Sequence, residues 1–153
     1  MLSAAAVDFV IVGGIAIRGH GGNYVTEDLD ICYSRSVDNL RRLADTIGPL
    51  NPRPRNFPDG LPYVFDWTTL QHGTNFTFET SLGDLDLLGE VKGVGAYTDL
   101  LPESLTVDLD GFPTRILSIA ALIRAKEAAA REKDKPGLKV LYALQEAEDP
   151  NTD

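Results

Sequence analysis

The chain has 153 residues, 43% of them hydrophobic, which suits one globular domain with its own core. Its formal net charge of −9 argues against a broad DNA- or RNA-binding surface, because neutralising phosphates requires clustered Lys and Arg. With Cys32 as the single cysteine, no basic signal segment and no apolar run of roughly 20 residues, we expect a cytoplasmic protein without disulfides or a membrane span.

The first predicted element is a strand at residues 7–12, whose near-continuous apolar run is typical of a central strand covered on both faces. Gly13 and Gly14 follow it, and residues 15–17 can begin a short helix. The two glycines have two interpretations. They form either a tight turn with positive φ, or a turn whose backbone N–H groups can approach phosphate oxygens.

The second predicted strand carries two aspartates, two residues apart, within Thr26-Glu27-Asp28-Leu29-Asp30-Ile31. Because side chains alternate along a strand, Asp28 and Asp30 are expected on one face, with Leu29 and Ile31 on the other. Asp is depleted in strands, and an unpaired carboxylate is costly to bury. Two aligned aspartates therefore indicate a bound cation, the alternative being a solvated strand face beside a turn.

A helix with Ser36 as its N-cap is predicted next, and apolar residues at helical spacing mark its buried face. The proline-rich segment 51–60 is predicted to be a surface loop. It contains Arg53 and Arg55 and is the main basic region of an acidic chain. This loop is either an acceptor-binding element or an ordinary surface loop.

Two further strands are predicted at residues 75–80 and 83–88, paired with each other. The first alternates, with Phe76 and Phe78 on one face. The second carries Asp84 and Asp86 at alternate positions. It therefore offers a second strand with carboxylates on one face.

The C-terminal third begins with a predicted hairpin at residues 105–117, whose turn is Asp110-Gly111. Pro113 predicts that the second strand of this hairpin lies at a sheet edge. A helix capped by Ser118 is expected to run to about Arg131. Pro136-Gly137 is expected to break the chain before a last short helix, and an acidic tail at residues 146–153 is expected to be disordered.

The order of these elements resembles the minimal nucleotidyltransferases of the DNA polymerase beta-like superfamily. It is most similar to the branch of abortive-infection (AbiE-type) toxin nucleotidyltransferases, where Leu85-Asp86-Leu87-Leu88-Gly89 matches the pattern of the later strand. The similarity runs from Phe9 to about Leu138. It implies a single α/β (α+β) domain over residues 1–153, with a core at about 7–145 and a mixed sheet of about five strands flanked by helices.

The resemblance also implies an activity and a site. The activity is metal-dependent transfer of a nucleotidyl group from a nucleoside triphosphate such as ATP to a hydroxyl acceptor, with release of pyrophosphate. The expected metal is Mg²⁺, or alternatively Mn²⁺, which prefer oxygen ligands. The implied catalytic and metal-binding residues are Asp28, Asp30 and Asp86, and the implied nucleotide-binding residues are Gly13, Gly14, Thr26, Lys126 and Arg131.

The partners and the competing interpretations remain open at the level of sequence. The acceptor is a protein, transfer RNA or small molecule, and the branch implies a toxin–antitoxin or phage-defence partner. The chain departs from the family at Tyr24, where an Arg usually precedes Thr26 by two residues. One alternative is therefore an inactive nucleotidyltransferase fold serving as a binding, antitoxin or regulatory module. Another is a plain α/β domain whose acids are solvated.

Overall fold

The computed structural model describes residues 1–148. Its strands are β1 (Phe9–Val12), β2 (Leu29–Tyr33), β3 (Arg53–Pro54), β4 (Asn75–Thr80), β5 (Gly83–Leu88), β6 (Glu90–Val91), β7 (Gly95–Ala96), β8 (Ser104–Leu109) and β9 (Phe112–Leu117). Its α-helices are α1 (Gly13–Gly19), α2 (Val37–Ile47), α3 (Trp67–Gln71), α4 (Tyr97–Leu100), α5 (Ile119–Ala129) and α6 (Lys135–Glu148). The result is the predicted mixed sheet flanked by helices.

The main sheet has seven strands in the order β3-β4-β5-β2-β1-β9-β8, and β6 and β7 form a separate ribbon. Strands β2 and β5 run parallel, as do β1 and β9, whereas β1 and β2 are antiparallel. The sheet has two more strands than the five or so expected. One of these strands, β3, is only two residues long and pairs with β4 at the edge.

The register of the central strands decides which side chains share a face. Asp30 of β2 is aligned with Val12 of β1 on one side and with Asp86 of β5 on the other. Residues in register project from the same face of a sheet, so Asp30 and Asp86 lie side by side. Ile31 and Leu87, the next residues along, are fully buried on the opposite face.

Two of the predicted helix caps are confirmed. The Ser36 hydroxyl accepts a hydrogen bond from the backbone N–H of Asn39 at the start of α2, and Ser118 does the same from Ala121 at the start of α5. Helices α5 and α6 pack against each other and against α1. No helix within residues 1–148 combines the length and apolar character that a membrane crossing requires.

Three local predictions need correction. Strand β9 is interior, because it pairs with both β8 and β1; it tolerates Pro113 because its register with β1 is at Ile116, well past the proline. Pro136 does not break the chain, since it lies in the first turn of α6, where a backbone N–H is not needed. Residues 146–148, assigned to a disordered tail, are helical, and the remainder of that tail lies outside the described residues.

Candidate active site

Three aspartates predicted to act together lie near one another at the end of β1 and the start of α1. Asp30 is within β2, Asp86 is its neighbour in β5, and Asp28 immediately precedes β2. Burial, followed by the charges of Asp86 and Asp28, raises the pKa of Asp30 from 3.8 to about 7, whereas Lys126 opposes the shift. Burial, together with the charges of the neighbouring carboxylates, therefore favours the protonated form of Asp30 up to near neutral pH.

One oxygen of this group is conspicuously unpaired. Oδ1 of Asp30 is buried and has no hydrogen-bond partner among the described residues. A buried carboxylate oxygen without a donor is costly, because it has lost its water without gaining a replacement. A cation placed between Asp30 and Asp86 would satisfy this oxygen and relieve the repulsion between the two carboxylates.

The chemistry of these donors fits Mg²⁺ or Mn²⁺, since the acidic groups that act on Asp30 are the carboxylates of Asp86 and Asp28. Cys32, two residues after Asp30, is buried, and burial followed by the charge of Asp99 raises the pKa of its thiol to about 12. Within residues 1–148, however, no three His, Cys, Asp or Glu side chains are already arranged to hold a metal ion. Asp30 and Asp86 therefore offer two adjacent ligands, and the third is not in place.

Gly13 begins α1 directly beside Asp30. Its φ is +69°, in the left-handed region that favours glycine, and a Cβ built at this position would collide with Oδ2 of Asp30. The first of the two predicted glycines is therefore required for the close approach of the α1 backbone to the carboxylate. This agrees with the first of the two interpretations of the glycines, a turn with positive φ.

Gly14 makes a different contact from the one expected. A Cβ at this position would lie 2.7 Å from Cβ of Thr26 and 2.8 Å from Cε1 of Tyr24, so the segment before β2 packs directly onto Gly14. The hydroxyl of Thr26 donates to the backbone carbonyl of Asp28 at 3.4 Å. Tyr24, at the position where the family that the sequence resembles usually has Arg, thus contacts the Gly-Gly turn.

The two predicted cationic residues converge on one buried acid. Lys126 Nζ lies 3.3 Å from Oδ1 of Asp134, and Arg131 Nε lies 2.8 Å from Oδ2 of the same side chain. Burial by itself would raise the pKa of Asp134, but the hydrogen bond from Arg131 and the charge of Lys126 outweigh it and lower that pKa. The pKa of Arg131 is raised by its hydrogen bond to Asp134, and the charges of Asp30 and Asp86 add to the increase. Asp134 therefore holds both cations near the aspartates.

Arg55 is a site residue that the sequence did not identify. Its Nη2 donates to Oδ1 of Asp86 at 2.6 Å and to the carbonyl of Phe78 at 3.2 Å, while its Nε lies 3.3 Å from Oδ2 of Asp84. Partial burial alone would lower the pKa of Arg55, but the hydrogen bond to Asp86 and the charges of Asp86, Asp84 and Asp28 outweigh it and raise that pKa. The basic composition of segment 51–60 was the available signal, but it did not indicate this contact.

A cavity of about 560 Å³ lies against the other face of the central strands. Its walls include Phe9, Ile11, Leu29 and Leu85, which alternate along their strands with the residues on the carboxylate face. The cavity and the pair formed by Asp30 and Asp86 are therefore on opposite sides of the sheet. The candidate active site is the carboxylate face.

Comparison with solved structures places the chain among nucleotidyltransferases in fold. The antibiotic-resistance factor ANT(2'')-Ia, in a solution structure, superimposes with a TM-score of 0.61 and 16% identity, over 96% of this chain and 80% of that chain. A crystal structure of ANT(2'')-Ia in complex with adenylyl-2''-tobramycin gives the same TM-score and identity, over 96% of this chain and 84% of that one. A Thermotoga maritima protein assigned as a nucleotidyltransferase gives 0.57 and 13%, over 92% and 83% of the two chains.

By sequence, no family model and no curated protein matches the chain. At these identities the structural likeness establishes the fold, which agrees with the architecture expected from the order of the sequence motifs. The activity has to be argued from the site itself.

Proposed function

We propose that this chain, which has the fold of the nucleotidyltransferases, transfers a nucleotidyl group from a nucleoside triphosphate to a hydroxyl acceptor. In this reaction the acceptor oxygen forms a bond to the α-phosphorus and the bond from that phosphorus to the pyrophosphate oxygen breaks. The hydroxyl proton is released and pyrophosphate leaves. We treat residues 1–153 as one domain carrying this activity.

The observation that supports the proposal most directly is the pair formed by Asp30 and Asp86. The two side chains are in register on parallel strands, the pKa of Asp30 is raised to about 7, and its Oδ1 has no partner within the described part of the chain. A divalent cation would stabilise a largely buried carboxylate that has one oxygen without a partner. Two adjacent carboxylates on a nucleotidyltransferase fold suit that role.

Asp30 and Asp86, joined by Asp28, are the residues that would hold Mg²⁺ or Mn²⁺. The bound metal would supply Lewis-acid stabilisation of the phosphate charge and a lower pKa for the attacking hydroxyl. Asp86, on β5, is assigned to the acceptor side and would favour loss of the hydroxyl proton. Asp28 and Asp30 are assigned to the triphosphate side.

The residues around the aspartates are assigned to the phosphates. Gly13 brings backbone without a side chain next to Asp30 at the start of α1, and Gly14 lies beneath Thr26 and Tyr24. Lys126 and Arg131, held together by Asp134, would offset the negative charge that develops on the departing pyrophosphate. This basic pair is therefore the part of an acidic chain that we assign to the triphosphate.

Among the three classes of acceptor, we favour a small molecule over a protein or transfer RNA. A net charge of −9 disfavours a polyanionic acceptor such as transfer RNA. One of the structural neighbours was solved in complex with an adenylylated aminoglycoside, which is a small-molecule product. A role in toxin–antitoxin or phage defence rests only on the sequence resemblance, and the single buried thiol of Cys32 is compatible with the cytoplasm.

The test is a transfer assay with each of the four nucleoside triphosphates labelled at the α-phosphorus. The purified chain, Mg²⁺ or Mn²⁺ and small-molecule, protein and transfer RNA acceptor pools would be incubated together. We expect metal-dependent label transfer to one pool with release of pyrophosphate, and none with Asp30→Asn. Label transfer that persists in excess EDTA, or at full rate in Asp30→Asn, would contradict the proposed site.

A second candidate is an inactive fold that binds nucleotide or a protein partner without chemistry. Two observations favour it: Tyr24 occupies the usual place of an Arg, and the Asp86 carboxylate already has Arg55 as its cation. If this candidate is correct, a nucleoside triphosphate should raise the melting temperature of wild type and of Asp86→Asn equally. Neither protein should then transfer a nucleotidyl group. Transfer by the wild type would dismiss this candidate.

A further inference from the structure

The guanidinium of Arg55 is paired with Asp86, the third of the predicted metal-binding carboxylates. Its guanidinium connects Oδ1 of Asp86, at 2.6 Å, with Oδ2 of Asp84, at 3.3 Å. The Arg55 and Asp86 side chains are only 28% and 23% exposed, so this ion pair is partly shielded from water. A charge-assisted hydrogen bond in such a setting is stronger than a surface ion pair.

This contact conflicts with metal binding at Asp86. Two cations on one carboxylate oxygen repel each other, and the guanidinium already uses Oδ1 of Asp86. The three aspartates are also not arranged as a metal-binding group in the described chain, although Asp30 and Asp86 are in register. The ion pair with Arg55 therefore gives Asp86 a protein cation in the place where the metal would otherwise neutralise it.

The position of Arg55 in the fold allows its side chain to move without disturbing the core. It follows the two-residue edge strand β3, and its backbone N–H donates to the carbonyl of Thr77 at 2.9 Å. The next residue, Asn56, has a φ of +66° and begins the turn that leaves the sheet. The backbone of Arg55 is thus fixed at the sheet edge, while its guanidinium reaches the site through a flexible stem.

We propose that Arg55 is a built-in counter-cation of the active site, which neutralises Asp86 before the metal binds and is exchanged for the metal when the site loads. This inference rests on the proposed function, because it assumes that Asp86 becomes a metal ligand. Arg55 is then a positioning residue that acts through Asp86. It makes metal loading of the acceptor side depend on movement of the Arg55 side chain away from Asp86.

Metal affinity provides the first test, with Mn²⁺ alone as the probe and free Mn²⁺ measured by electron paramagnetic resonance. Arg55→Met is expected to bind Mn²⁺ about tenfold more tightly than wild type, because no protein cation has to be displaced. Arg55→Lys should fall between them, since lysine restores a cation without the fork that bridges two carboxylates. Arg53→Met is the matched control: Arg53 bonds to the carbonyls of Pro58 and Leu61 instead, and its removal should leave Mn²⁺ affinity unchanged.

Nuclear magnetic resonance of guanidinium-labelled arginine provides the second test, with diamagnetic Mg²⁺ as the probe. The Arg55 signal, assigned by its loss in Arg55→Met, should show slow rotation about its Cζ–Nε bond without metal and fast rotation at saturating Mg²⁺. Wild-type protein in which Mg²⁺ binds and Arg55 remains rotationally restricted would overturn the inference. So would equal Mn²⁺ affinity of wild type and Arg55→Met, and either result would leave the proposed function standing. If neither protein binds Mn²⁺, the proposed metal site is wrong and this inference fails with it.

Discussion

Replacing Asp30 by Asn should change how the stability of the metal-free protein depends on pH. Burial and the neighbouring Asp86 and Asp28 charges raise the pKa of Asp30 from 3.8 to about 7 in the folded protein. The folded state therefore binds this proton more tightly than the unfolded chain. Its contribution to stability is fully present below about pH 4, and it is lost as pH rises towards about 7.

The expected magnitude follows from the size of the shift. About three pKa units correspond to roughly 4 kcal/mol, which is an upper bound because Asp30 is not completely buried and its neighbours can rearrange. We expect about 2–4 kcal/mol. We compare the free energy of unfolding of Asp30→Asn with that of wild type, both in EDTA. Between pH 4 and pH 8 this difference should shift by about this amount in favour of Asp30→Asn. Asparagine cannot ionise, so the variant does not lose stability as wild type does when Asp30 gives up its proton with rising pH.

The measurement is the free energy of unfolding from urea titrations at several pH values between 4 and 9, in EDTA. Asp108→Asn is the control, because it also removes one negative charge but from an exposed position in the β8–β9 hairpin. Its stability should follow the wild-type pH profile. If the profiles of Asp30→Asn and wild type are parallel from pH 4 to 9, Asp30 does not hold a proton near neutrality and the reasoning is refuted.

Three other substitutions test separate parts of the site and fold. Gly13→Ala should weaken Mn²⁺ binding by about tenfold or more, because the new Cβ would collide with Asp30. Gly21→Ala is the control: it places alanine at a positive φ too, but in open space, and should leave the Mn²⁺ dissociation constant unchanged. Asp86→Asn should lower the transfer rate on the order of 100-fold while nucleotide titration shows most of the affinity retained; wild-type turnover would show that the third carboxylate is misassigned. Ser118→Ala should lower the free energy of unfolding by about 1 kcal/mol in urea without altering Mn²⁺ binding, because it removes only the cap of α5. No loss of stability would show that this cap does not support the helix.

Local patterns in the sequence were sufficient for the elements that carry the carboxylates. Alternation predicted that β2 and β5 would each present aspartates on one face, and the register places Asp30 beside Asp86. The Gly-Gly pair predicted a positive φ, which Gly13 has. The cap of α5 was also visible, because Ser118 precedes an apolar helical repeat. Each of these features depends on residues within a few positions of one another, so one sequence reveals them.

Contacts between segments far apart in the chain could not be predicted from these local patterns. Pro113 indicated an edge strand by local rules, but β9 lies between β1 and β8, because its register with β1 begins only beyond the proline. The convergence of Lys126 and Arg131 depends on Asp134, which the turn after α5 brings back beneath both side chains. On a regular helix, two residues five positions apart, such as Lys126 and Arg131, point in different directions, so their spacing alone does not predict that they meet.

The sequence by itself therefore determined the order of the elements, the strand faces on which Asp30 and Asp86 lie and the glycine turn beside Asp30. Only the tertiary structure decided what each carboxylate contacts. Arg55 reaches Asp86 across 31 positions of the chain, and one buried oxygen of Asp30 has no hydrogen-bond partner within residues 1–148. The physical reason is that periodicity fixes the face on which a side chain lies, whereas its charge partner is set by the packing of segments that are far apart in sequence.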